Sequence, residues 1–139
     1  MKRFEILDHT ADIGIVAWGR SLLELFVNAA EGMFSLITDA KEPREGFQTE
    51  IEVEGEDRVE LLVNWLNELL YIFETEEVLL TEIQVKRIGP VSMKGRVSGG
   101  TFDRSRIELK REIKACTYYQ AAVEELGPSL WRAQVYFDL

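Results

Sequence analysis

Phe4 and Ile6 alternate with Arg3 and Glu5, a period of two that predicts a short strand over KRFEIL. The polar stretch DHTAD breaks the alternation, and IGIVAW resumes it as a second strand ending at Gly19. From Ser21 the period changes. Leu22, Phe26, Ala29, Ala30, Met33 and Ile37 recur at helical spacing, so SLLELFVNAAEGMFSLIT predicts an amphipathic helix lying on a core. Ser21 with Glu24 three residues on is a capping box, in which side-chain oxygens satisfy free amide donors. Gly32 weakens this helix by about 1 kcal/mol relative to alanine.

After the polar connection AKEPREG, the segment FQTEIEVEG places Phe47, Thr49, Ile51 and Val53 on one face and Gln48, Glu50, Glu52 and Glu54 on the other. That is a half-exposed strand with an acidic outer side. EDRVELLVNWLNELLYIFETE predicts a second helix capped by Asp57 with Glu60 as partner. Its stripe of Val59, Leu62, Val63, Leu66, Leu69, Leu70 and Phe73 is widened by Leu61 and Trp65, which implies burial on more than one side. From Val78 onward strands return: VLLTEIQVKRI, a turn at Gly89-Pro90, then VSMKGRVSG. GGTFDRSRIEL is an irregular or briefly helical connection, and EIKACTYYQAAVEEL and SLWRAQVYFDL, separated by Gly127-Pro128, close the chain as strands. The order β-β-α-β-α followed by β hairpins predicts a two-layer α/β (α+β) fold. Two main helices pack on a largely antiparallel or mixed sheet, in one domain spanning residues 1–139.

Composition supports that picture, since 139 residues with 46% apolar content suffice for one core. No apolar run follows the basic start, and LLVNWLNELLYIF is interrupted by Asn64, Asn67 and Glu68, so neither a signal peptide nor a membrane span is expected and the expected location is cytoplasmic. The single cysteine, Cys116, excludes an internal disulfide framework and reads as a small buried residue. A net charge of −9 argues against strong direct binding to nucleic acid. Charge is nevertheless unevenly distributed. Between Gln84 and Lys114 nine basic residues face three acidic ones, a segment at +6 that leaves −15 for the rest. Two readings stay open for it, a cationic face or a solvated face of mixed charge.

Candidate chemistry concentrates at the two ends. LDHTADIG holds Asp8, Asp12 and the only histidine, His9, within five positions. Such groups can begin a divalent-cation site or do acid–base work, but turns are rich in Asp and Thr for purely local hydrogen-bonding reasons. Local sequence leaves both readings open. The chain ends VYFDL, so Asp138 precedes the α-carboxylate of Leu139, and the apolar residues Leu130, Val135 and Phe137 would hold that end in place. Two carboxyl groups so placed suit a hard cation. Lys114 lies between Ile113 and Ala115, on the opposite face from Ile113, as a solvated charge or as a partner for carboxylate or phosphate. Gly99-Gly100 beside Thr101, with Arg104 and Arg106 nearby, is either a turn or an amide-lined anion site. No nucleophile elbow, phosphate-binding loop or zinc-protease helix motif appears.

Four blocks together resemble the archease family: LDHTADIGIVAWG, WLNELLYIFE, EIKACTYY and the terminal FDL, in order from Leu7 to Leu139. The resemblance implies an accessory protein, not a stand-alone enzyme. It would serve the tRNA-splicing RNA ligase that joins a 3′-phosphate or 2′,3′-cyclic phosphate end to a 5′-hydroxyl, promoting formation of the guanylylated ligase and multiple turnover. It also places the family's metal positions on Asp12, Asp138 and Leu139, with calcium, magnesium or manganese as the divalent ion, and its lysine on Lys114. Asp8 and His9 then support the loop's shape. The chain departs from the pattern at Tyr119 and Ile107, where members carry histidines, and at Cys116, where Val or Ala is usual. Two alternatives stand beside this expectation. One is a chaperone-like modulator of other RNA-modifying enzymes, such as tRNA methyltransferases. The other is a metal-dependent phosphohydrolase using Asp12 and Asp138, for which the sequence supplies no convincing nucleophile or base.

Overall fold

The computed structural model describes residues 1–8 and 12–139. His9 therefore lies outside the described residues. The element order is β1 (Phe4–Asp8), β2 (Asp12–Gly19), α1 (Leu22–Ile37), β3 (Phe47–Glu54), α2 (Arg58–Glu76), β4 (Val78–Ile88), β5 (Ser92–Thr101), β6 (Ala115–Gly127) and β7 (Leu130–Asp138). Both helices begin where their caps predict. Ser21 Oγ accepts from the Glu24 amide at 3.1 Å and Asp57 Oδ1 from the Glu60 amide at 2.8 Å. The Glu24 carboxylate reaches back to the Arg20 amide, one residue before the cap.

Periodicity could not show which strands pair. The seven strands form two antiparallel sheets, one in the order β1-β2-β7-β6 and one in the order β3-β5-β4. Each helix packs against both sheets, α1 chiefly on β2 and β4 and α2 chiefly on β6 and β3. A single apolar cluster joins these layers, with Phe26, Met33, Leu62, Trp65, Leu66, Val97, Val135 and Phe137 within it. Trp65 is completely buried, and its indole N–H donates to the Phe26 carbonyl at 3.1 Å, linking the two helices. The alternation in β3 is as the sequence predicts, with Ile51 and Val53 buried and Glu50, Glu52 and Glu54 exposed. In β1 it weakens, because the strand lies at the sheet edge and Ile6 remains exposed while Phe4 and Leu7 are half-buried.

The structure decides three sequence readings. Gly99 and Gly100 lie inside β5, in neither a turn nor an anion-binding loop: a Cβ on Gly99 would stand 1.8 Å from the Leu79 carbonyl oxygen, so the glycine permits close strand pairing. The +6 segment is not a bare cationic face. Lys94 pairs with Glu50 and Glu52 because acidic β3 lies directly beside β5, while Arg106 pairs with Asp103 in its own segment and Lys110 with Asp39 in the loop after α1. Finally, β6 begins at Ala115, so Lys114 precedes the strand instead of lying within it. The connection from Phe102 to Lys114 has its own task. The Lys110 amide donates to the Ile37 carbonyl and the Arg111 guanidinium to the Leu36 carbonyl, closing the C-terminal end of α1. Among the described residues no helix is long and apolar enough to cross a membrane.

Candidate functional site

The second and last strands meet in the middle of one sheet. β2 and β7 are adjacent, and their register sets Asp12 directly opposite Asp138. Directly opposed residues of an antiparallel pair share a face, with Cβ atoms about 4.5–5.5 Å apart. Ile13, Ile15, Val135 and Phe137 belong to the apolar cluster, so strand alternation puts Asp12, Gly14, Tyr136 and Asp138 on the other face. On the far side of β7, Ala115 pairs with Asp138, and the amide of Lys114 donates to the Asp138 carbonyl at 2.9 Å. Three strand ends therefore converge on one residue.

Burial differs along this group. Asp12 is half-buried, whereas Asp138, Leu139 and Lys114 are exposed. Asp8, exposed at the end of β1, pairs with Ile13 and so falls on Ile13's face of the sheet, opposite to that of the carboxylate pair. The floor is aromatic. Tyr136 lies across Gly14, where a Cβ would come within 2.7 Å of its ring, and Tyr119 meets Tyr136 edge-on with centroids 5.7 Å apart. Thr117 donates its hydroxyl to the Tyr136 carbonyl at 3.2 Å, tying β6 to the same place.

Like charges set directly opposite each other destabilise a strand pair, and a cation between them reverses that term. Two carboxylates in facing positions are oxygen donors of the kind a hard divalent ion takes. Among the described residues no group of three or more His, Cys, Asp and Glu side chains could by itself hold a metal ion. A cation here would thus depend on groups beyond the two aspartates. The end of the chain is anchored as the sequence predicts by Val135 and Phe137, both buried, although Leu130 is 37% exposed.

Several contributors were not evident beforehand. Asn67 on α2 donates to the Cys116 carbonyl at 3.0 Å and accepts from the Cys116 amide at 2.8 Å. One side chain thereby occupies both backbone groups of the edge strand β6, as a neighbouring strand would. The only hint in the sequence was an amide interrupting an otherwise apolar helix stripe. Tyr136 gave no signal beyond its place in an apolar strand. Cys116 is buried, and burial pushes its thiol up to about 12, which matches a packing role. Ile107 packs on the apolar cluster, and Tyr119 is exposed.

The archease protein family matches residues 4–139 of this sequence. The chain belongs to the archease family. The archease of Methanosarcina barkeri is 39% identical over 142 residues, covering 99% of this chain and 97% of the relative. Protein 1598 of Methanobacterium thermoautotrophicum, solved in solution, superposes on this family member with a TM-score of 0.82 at 34% identity, covering all of both chains. The crystal structure of a Thermotoga maritima archease, described as a possible chaperone, gives a TM-score of 0.69 at 22% identity over 96% of this chain and 94% of that one. At that identity it supports the fold alone, and it carries the same two helices on antiparallel sheets.

Proposed function

We propose that this protein is a cytoplasmic accessory factor of the tRNA-splicing RNA ligase, not itself an enzyme. It would promote guanylylation of the ligase, and repeated turnover, by docking a metal-carboxylate group at the ligase's reacting centre. The observation that carries the reading is the register pair Asp12–Asp138, with the Lys114 amide fixed to the Asp138 carbonyl. Asp12, Asp138 and the α-carboxylate of Leu139 would hold a calcium, magnesium or manganese ion, since all three ions take oxygen ligands. When bound, such an ion supplies positive charge and a template for phosphate oxygens. The chain's own residues do the rest. The aspartates fix the group on a sheet whose other face is the core, and the Lys114 ammonium, exposed beside it, offers a contact for phosphate.

Guanylylation of the cognate ligase, followed with and without this protein, tests the reading. Wild type should raise both the rate and the number of turnovers, and Asp12→Ala should abolish the gain while leaving the protein folded. An Asp12→Ala variant that stimulates as well as wild type overturns the mechanism. The description of the Thermotoga relative as a possible chaperone favours a second reading, in which the protein stabilises RNA-modifying enzymes such as tRNA methyltransferases and the ion only holds the chain end. That reading requires wild-type and Asp12→Ala protein to protect a client equally per folded molecule.

A further inference from the structure

β6 does not follow β7 evenly. Thr117 pairs with Tyr136 and the next pairing is Ala122 with Gln134, so Tyr118 to Ala121 stand opposite the single residue Val135. The excess chain lifts out as a bulge. Gln120 adopts a left-handed conformation, φ 49°, which residues with a side chain seldom take. The bulge is nonetheless fixed: Gln134 donates to the Gln120 carbonyl at 3.0 Å, and the Tyr119 amide to Thr117 Oγ1 at 3.3 Å. It presents two large aromatic side chains to solvent, Tyr118 at 58% and Tyr119 at 54% exposure.

The surroundings select among occupants. Tyr118 donates its hydroxyl to Asn64 on α2 at 3.4 Å, which sets it about one turn beyond Glu60 and two beyond the Asp57 cap; desolvation first, then Glu60, pushes its phenol upward. Exposed ring faces backed by carboxylates attract a guanidinium, which stacks and pairs at once. The same carboxylates repel the phosphates of a nucleic acid, and a second copy of the chain would bring identical acidic surface against itself. The bulge also starts one residue beyond Thr117, itself two residues from Ala115, the partner of Asp138. A protein seated on it would reach the carboxylate pair in the same contact.

We propose that the Tyr118–Tyr119 bulge, with Glu60 and Asp57 behind it, is a docking surface for an arginine-bearing loop of the protein partner. This rests on the functional reading above insofar as that partner is the RNA ligase. Titrating labelled protein with the ligase should give at least tenfold weaker binding for Tyr118→Ser/Tyr119→Ser. Glu60→Gln should bind more weakly with a shallower salt dependence, an effect that loss of packing alone does not produce. A parallel amide-shift titration of wild type with an arginine-rich peptide, a lysine peptide of equal charge and an oligouridylate should move Tyr118 and Tyr119 with the arginine peptide most. If wild type stimulates the ligase but the tyrosine and glutamate variants bind it as tightly as wild type, the surface is overturned. If wild type fails to stimulate the ligase, the functional reading falls, and the surface stands or falls on the peptide titration. A preference for oligouridylate, concentration-dependent self-association through the bulge, or no response to arginine overturns it.

Discussion

Replacing Asp138 by asparagine removes one charge from the facing carboxylate pair while keeping its size, so it isolates the electrostatic term. In the absence of divalent ions, two carboxylates carried on Cβ atoms about 5 Å apart at a partly hydrated strand end repel by about 0.5–1 kcal/mol. Unfolding entropy of about 2.1 cal/mol/K per residue gives a 139-residue chain about 0.29 kcal/mol/K, so Asp138→Asn should raise Tm by roughly 2–3 °C in EDTA. Adding calcium should invert the order. An ion at a hundred times its Kd stabilises the native state by about 2.7 kcal/mol, roughly 9 °C in wild type, and the variant should lose most of that gain. Differential scanning fluorimetry across a calcium, magnesium and manganese series measures both arms. A variant that is less stable than wild type in EDTA, or that keeps the full metal-dependent shift, would show that the two aspartates neither repel each other nor share an ion.

Three further outcomes follow from the geometry. Asn67→Ala leaves the amide and carbonyl of buried Cys116 without their partner, and should cost about 2–4 kcal/mol in urea unfolding, with faster hydrogen exchange at the Cys116 amide. Cys116 itself, its thiol held at about 12 by burial, should react with iodoacetamide at pH 8 at least a hundredfold more slowly in the native protein than in urea, read by mass spectrometry. Lys94, by hydrogen bond and then by charge, holds the Glu50 carboxyl below its ordinary value of 4.5. A depressed folded-state value contributes stability above the unfolded value and loses it as pH falls through the folded one, so Lys94→Met should flatten the acid limb of stability below about pH 4.5, measured by urea midpoints from pH 3 to 6.

What the sequence made legible was whatever depends on neighbours in the chain. The Ser21 and Asp57 caps, the apolar stripes of both helices and the acidic outer face of β3 are all set by residues within a few positions of each other. Pairing between distant strands leaves no such local trace. Nothing in KRFEIL or SLWRAQVYFDL says that β1 and β7 flank the same strand, nor that Gly99 is needed for close pairing with β4. The basic segment left two readings open for the same reason. Its cations were counted along the chain, whereas the carboxylates that pair with Lys94 and Lys110 come from β3 and the loop after α1. At the site, Asp12 and Asp138 were identifiable by residue type and by family resemblance, yet their juxtaposition and the edge-closing role of Asn67 are properties of the fold.

That juxtaposition has a consequence for how such a site is maintained. β2 and β7 are the two inner strands of their sheet, separated in sequence by both helices and the entire second sheet. The aspartate pair therefore forms only when the long-range pairing that organises the core has formed, and it cannot assemble from either end alone. Asn67 extends this dependence, since its two bonds to Cys116 hold β6, and with it the Lys114 amide, against the helix that buries Trp65. A lesion in the α2 packing should thus reach the site through β6 before it reaches Asp12, which β2 secures independently through Ile13 and Ile15. In the Asn67→Ala variant, hydrogen exchange should therefore accelerate at Lys114 and Cys116 while amides of β2 stay protected. Equal loss of protection in β2 would mean that the site opens only with the whole sheet.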